Sequence, residues 1–301
     1  RGRGGGWGGA SWTTAPPATS ARLERLVTHR GAMRAVLKGC MPPRPRRGGG
    51  DSPAAAVPAP RPTSTHPIVV LWTTPRSRST VFERMMVERG DVRVVDEPFS
   101  ARYYFSAVRR SDRFDEVLPG GTSRAVLDRL LDAAEDGPVF VKDMAYHATG
   151  LFTEEVLGCF VNTFLVREPA TAVASLARHW PDLTEAEAGY GALHEAYRAA
   201  EGLIGRPPPV MDSDELAADP AAVVADWCGA VGLDFDPDAL SWAPGMVDEW
   251  TWWRDWYGGV ADSTGFRPPS SNPSPVIDDP RLAAIVERAR PVYEELTATT
   301  R

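Results

Sequence analysis

Short runs of apolar, β-branched residues recur from His66 onward, separated by stretches with helical spacing. Pro67–Trp72 (PIVVLW) is continuously apolar, the pattern of a strand buried on both faces. Val92–Val95, Val139–Val141, Val161–Val166 and Pro209–Met211 read as further short strands, the first and third of them with polar residues among the apolar ones. Between the first two runs, Val81–Arg89 carries Phe82, Met85 and Met86 on one helical side. Ser123 is placed to cap a helix through Leu127, Leu130 and Leu131 that Gly137-Pro138 ends, and Thr153 to cap a shorter one. Pro169 sits at a first-turn position and opens a helix to about His179. Thr184 and Glu187 form a capping box for a helix to about Leu203. Pro220 opens another to about Val231, and a last helix spans roughly Pro280–Leu296. Strands alternating with helices predict a parallel sheet with helices on both faces: one α/β domain over residues 67–301.

Residues 1–66 have a different texture. They hold eleven Gly and nine Pro, about 30% of the segment, and carry a charge of +9, which leaves −16 for the remainder. That composition predicts a disordered basic tail. Met33 and Met41 offer later starts, which would make the residues before them upstream sequence. The basic, acid-poor stretch Arg22–Lys38 also has the character of a transit peptide, so a cytoplasmic location and an organellar one both stand.

The formal net charge of −7 argues against a general nucleic-acid partner, and no apolar run approaches the ~20 residues of a membrane span. Cys40, Cys159 and Cys228 are odd in number and far apart, which excludes a disulfide scaffold and a zinc ribbon. No ligand spacing calls for a metal.

Two segments carry candidate chemistry. The first strand runs into TTPRSRST (Thr73–Thr80) just before a helix, the place where α/β proteins hold phosphate. Arg76 and Arg78, with the hydroxyls of Ser77, Ser79 and Thr80, would strengthen such an anion site. The bland alternative is a Pro-containing turn with a hydroxyl cap on a surface helix. It is not a Walker A loop, because G-K-S/T is absent. In the second segment Arg167-Glu-Pro169 ends the fourth strand, where ligands of open α/β sheets bind, and Ser175 follows two turns into the next helix.

In this order and spacing the two segments resemble the sulfotransferases that use 3′-phosphoadenosine 5′-phosphosulfate. The family's first motif, T-x-P-R/K-S-x-S/T-S/T, matches Thr73, Pro75, Arg76, Ser77, Ser79 and Thr80; its second, R-D/E/N-P-x5-S, matches Arg167, Pro169 and Ser175. Asp214–Leu216, Pro220 and Val231–Leu233 are similar to a later family segment, and Val139–Met144 to a strand of bacterial members. The resemblance spans about residues 67–240. It implies a P-loop-like fold, that donor as co-substrate with no metal, and a small-molecule hydroxyl, phenol or amine as acceptor. The donor would be held by Thr74, Pro75, Arg76, Ser77, Arg78, Ser79 and Thr80, with Arg167 and Ser175 on its 3′-phosphate. Arg78 stands where the family commonly has Gly. The family's Gly-rich cover loop has no clear counterpart, and Arg267, near Tyr257-Gly-Gly259, is the nearest substitute.

Sulfuryl transfer needs positive charge at the leaving phosphate, a role that falls to Arg76, and a base for the acceptor proton. Glu97, after the second strand, resembles the glutamate of relatives acting on sugars. His147, beyond the third strand, resembles the histidine of cytosolic members, although it follows Lys142 by five residues rather than two. Glu97 is preferred; its carboxyl would need raising by burial to serve as base. Trp242, Trp250, Trp252, Trp253 and Trp256, and the triplet Tyr103, Tyr104 and Phe105, either wall an acceptor pocket or pack the core. The acidic balance outside the tail disfavours a polyanionic acceptor. Two other functions compete: a P-loop-like nucleotide kinase or hydrolase, which would need Mg²⁺ and a loop lysine, and a non-catalytic nucleotide-binding relative.

Overall fold

In the computed structural model of the chain, β1 (Ile68–Thr73) is buried along its whole length at the centre of a five-stranded sheet. The structure describes residues 64–298, apart from 118–120, 251–252, 254–255 and 270–273; the basic tail lies outside the described residues as far as 63. The other strands are β2 (Arg93–Asp96), β3 (Val139–Met144), β4 (Val161–Val166) and β5 (Val210–Asp212). Their order is β2-β3-β1-β4-β5, every pairing is parallel, and helices cover both faces.

Alternation along the strands divides the core. Ile68, Val70 and Trp72 of β1 join Val139, Val141, Phe164 and Val166 in one apolar cluster. Val69 and Leu71 join Phe140 and Leu165 in another, on the opposite face. Helices α3 (Ser123–Asp136), α7 (Tyr190–Ile204) and α11 (Pro280–Thr297) supply the first cluster, while α1 (Ser79–Arg89) and α9 (Pro220–Val231) supply the second.

The predicted elements are present with local differences. β3 runs past Val141 to Met144 because Lys142 and Asp143, polar as they are, find buried partners. Thr122 rather than Ser123 caps α3, accepting from the Ala125 N–H. The helix expected from Thr184 to about Leu203 is two: α6 (Glu185–Ala188) keeps the capping box, and Gly189, at φ 83°, turns the chain into α7. The helix opened by Pro169 is α5, Pro169–Ala177. Helix α2 (Ser100–Phe105) was not expected, and neither were α8 (Ser213–Ala218) and α10 (Gly258–Ala261). The short α4 (Glu154–Leu157) follows its Thr153 cap. Among the described residues, no helix is long and apolar enough to cross a membrane.

From β1 the chain crosses to the β2 edge, and from β3 it crosses back to β4. The switch of direction therefore lies between β1 and β4, and the crevice beyond their carboxyl ends is where such sheets bind ligands.

Candidate active site

Thr73 at the end of β1 pairs with Leu165 of β4, so the loop after β1 and the residues after Val166 emerge side by side. The loop is braced from within. The Thr73 hydroxyl donates to the Leu165 carbonyl at 3.0 Å and is hydrogen-bonded to the Ser77 hydroxyl. Ser77 and Thr74 are fully buried and absent from the wall of the neighbouring cavity.

Pro75, Arg76, Arg78, Ser79 and Thr80 do line that cavity, as does Arg167. Arg76 and Arg78 have φ of 64° and 67°, left-handed values that are rare outside glycine. The N–H groups of Ser79 and Thr80, in the first turn of α1, are left without intrahelical partners. Arg76 Nε donates to the Ser175 hydroxyl at 3.0 Å, and Arg167 Nη1 donates to the Arg76 carbonyl at 2.8 Å. Arg167 Nε is buried with no partner. Burial and Arg178 lower Arg76 from its ordinary value; burial and Arg78 do the same to Arg167. Arg78, in the position the family resemblance gives to Gly, sends its guanidinium to Asp214 Oδ1 at 2.7 Å and the Ser213 carbonyl at 3.1 Å. Arg267 is exposed and outside the cavity wall, while Tyr257, Gly258, Gly259 and Val260 contribute to that wall.

Across the cavity, of about 420 Å³, lie Glu97 and His147. Glu97 follows β2 with φ 43°, its N–H bonded to the Lys142 carbonyl at 2.8 Å and its Oε1 to Lys142 Nζ at 2.7 Å. Burial raises its carboxyl above the ordinary range, although Lys142 pulls the other way. His147 sits in a 3-10 turn (Ala145–Ala148) after β3; Nδ1 is 2.7 Å from Asp143 Oδ1, and Nε2 is buried without a partner. Burial lowers it to about 4, so the ring is neutral at physiological pH.

The aromatic residues divide between the two roles open to them. Trp242 and Trp250 are core, and Trp252 lies outside the described residues. Trp253 and Trp256 line the cavity together with Tyr104, Tyr146 and Trp180. Tyr103 and Phe105 pack behind Tyr104, whose hydroxyl meets that of Tyr146 at 2.9 Å. Arg113 braces this wall, stacked 4.3 Å from the Trp180 ring and ion-paired with Glu187 and Asp182.

The model of the family described as "Sulfotransferase domain" matches residues 68–300. The chain belongs to that family. Among curated proteins, this sulfotransferase domain is similar to two from Arabidopsis thaliana. One is branched-chain-amino-acid aminotransferase-like protein 2, 29% identical over 226 residues; the other is the like-named protein 1, 28% identical over 213. Each match takes in 68% of this chain but only 37% and 38% of those proteins. Among solved structures it is similar to the sulfotransferase domain of the Synechococcus PCC 7002 olefin synthase, at 18% identity and a TM-score of 0.45 over 75% of this chain and 95% of that one. The sulfotransferase STF9 of Mycobacterium avium gives 15% identity and a TM-score of 0.41 over 80% and 77%.

Sequence reasoning passed over Lys142, Asp143, Asp96 and Glu83, which form the polar floor beneath Glu97 and His147. The signal was available: a Lys-Asp pair inside an otherwise apolar strand must be paired wherever it is buried. Tyr146, Trp180 and His179 carried no local signal; only the folded chain brings them to the cavity.

Proposed function

We propose that this chain is a sulfotransferase that moves a sulfuryl group from 3′-phosphoadenosine 5′-phosphosulfate to a small-molecule hydroxyl, phenol or amine. The observation that carries the reading is the pair of arginines at the sheet's switch point. Among the described residues neither Arg76 nor Arg167 forms an ion pair with a carboxylate, and the buried Arg167 Nε lacks a partner. Paired cations left without anions in a crevice call for an anionic ligand. The free N–H groups at the start of α1 add to the same demand. These residues therefore fit a nucleotide carrying two phosphate groups, one near the loop and one near Arg167 and Ser175.

When bound, the donor supplies an activated sulfuryl group on a phosphate leaving group. Arg76 then stabilises the charge that develops on that phosphate, being permanently charged and already oriented by Ser175. Glu97 takes the acceptor proton, because burial has brought its carboxyl upward, toward working pH. His147, whose conjugate acid lies at about 4, is the weaker base; its unpartnered Nε2 orients the acceptor hydroxyl. Tyr104, Trp253 and Trp256 bind the body of the acceptor and exclude water. A thermal-shift assay with the bisphosphate product, followed by turnover of the donor with an acceptor panel, tests the reading. Protection by the bisphosphate is expected; its absence would contradict the proposal.

A further inference from the structure

Lys142 has no access to water: its side chain is fully buried beneath the cavity floor. Its ammonium lies 2.6 Å from Asp96 Oδ1, 2.7 Å from Glu97 Oε1 and 3.4 Å from Glu83 Oε2. One ammonium facing three ionised carboxylates would leave a buried charge of −2, which burial strongly penalises. The cluster must therefore hold an additional proton.

Of the three carboxyls facing the ammonium, Glu83 is the one best placed to hold it. It is completely buried, it is the carboxyl farthest from the ammonium, and its Oε1 accepts no hydrogen bond. Burial, and then the adjoining Asp96, raise its carboxyl well above the ordinary range. Two neighbouring oxygens are engaged: the Trp250 indole donates to Glu83 Oε2 at 3.2 Å and the Tyr257 hydroxyl to Asp96 Oδ2 at 2.7 Å. Glu97 itself is faced by Lys142, Asp96, Asp143 and His147. The hydroxyls of Tyr104, Tyr146 and Tyr257 also stand nearby, all held neutral by burial. Lys142 is the single cation among these neighbours, and it holds Glu97 through both its main chain and its side chain, at a residue whose φ of 43° is otherwise unfavourable.

We propose that Lys142 is a positioning residue for Glu97: its ammonium fixes the carboxylate at the cavity wall and keeps it ionised, while the spare proton of the cluster sits on Glu83. The functional meaning rests on Glu97 being the base, whereas the charge assignment stands independently of donor and acceptor.

Infrared titration of the full chain, without ligands, tests this. At pH 7 the wild type is expected to have a protonated-carboxyl band that Glu83→Gln removes. The Glu97 carboxylate band, identified by its loss in Glu97→Gln, is expected to titrate about one to three pH units higher in Lys142→Met. Lys142→Arg, which keeps the charge, should restore it toward the wild-type midpoint. Should Lys142→Met fail to fold, Lys142→Gln removes the charge with less disruption and should give the same upward shift. Absence of the protonated band, its survival in Glu83→Gln, or an unmoved Glu97 midpoint in the uncharged variants would each overturn the proposal. None of these outcomes bears on nucleotide binding, so failure here and failure of the sulfotransferase reading are separable.

Discussion

Arg76 donates from Nε to the hydroxyl of Ser175 at 3.0 Å, across 99 residues of sequence. This bond joins the loop after β1 to the helix after β4, and the bond from Arg167 to the Arg76 carbonyl joins them again. The two segments proposed to hold anions are thus one constellation, in which a single serine orients the arginine assigned to the leaving phosphate. Ser175→Ala should accordingly weaken bisphosphate binding by about tenfold or more, the scale of a lost hydrogen bond to a charged group. Calorimetric titration of wild type and variant checks it.

The acid limb of the pH–rate profile separates the two candidate bases. Glu97 is raised above its ordinary 4.5, so activity that needs its ionised form is lost as pH falls through a midpoint above that value. A His147 base would keep activity down to about pH 4. With simple phenols as acceptors, Glu97→Gln should lower kcat by ~10²–10⁴ and leave bisphosphate affinity intact. His147→Ala should act mainly on the acceptor KM. A profile that stays flat to about pH 4, together with an active Glu97→Gln, would transfer the role to His147.

Arg78 lies in a left-handed conformation and forms an ion pair with the partly exposed Asp214. Glycine would relieve ~1–2 kcal/mol of backbone cost and forgo a pair contributing ~0–1 kcal/mol. Arg78→Gly is therefore expected to match or exceed the wild type in denaturant stability. Arg78→Ala keeps the strain, loses the pair and should be less stable than either.

Gly189 connects α6 to α7 at φ 83°, and a Cβ there would meet Tyr146 Cδ1 at 3.2 Å and Pro75 Cδ at 3.4 Å. Both neighbours line the cavity. Gly189→Ala should cost about 1–2 kcal/mol from the left-handed backbone and also weaken ligand binding through those two residues. Chemical denaturation and bisphosphate titration of the same variant measure the two effects.

The sheet was legible because its central strands are buried on both faces and read as largely apolar runs: Val161–Val166 was delimited by its pattern to the residue. The placement of Arg76, Arg167 and Ser175 at adjoining strand ends was legible because a strand end followed by a helix N-terminus is a local signal. The floor of the site was not. Lys142 follows directly on the apolar run Val139–Val141, with its partners 45, 46 and 59 residues away, and only the register of β2 on β3 brings Asp96 against it. The break at Gly189 escaped because the apolar spacing continues through it; a left-handed glycine interrupts a helix without interrupting its pattern.

Binding of the bisphosphate tests the central claim most directly. At ~100 times its dissociation constant, adenosine 3′,5′-bisphosphate should stabilise the wild-type chain by ~2.7 kcal/mol, read as a rise in Tm. Arg167→Ala should abolish most of that rise, and adenosine 5′-phosphate should protect far less than the bisphosphate. Equal protection by the two nucleotides, or an undiminished shift in Arg167→Ala, would contradict the assignment of Arg167 and Ser175 to a second phosphate.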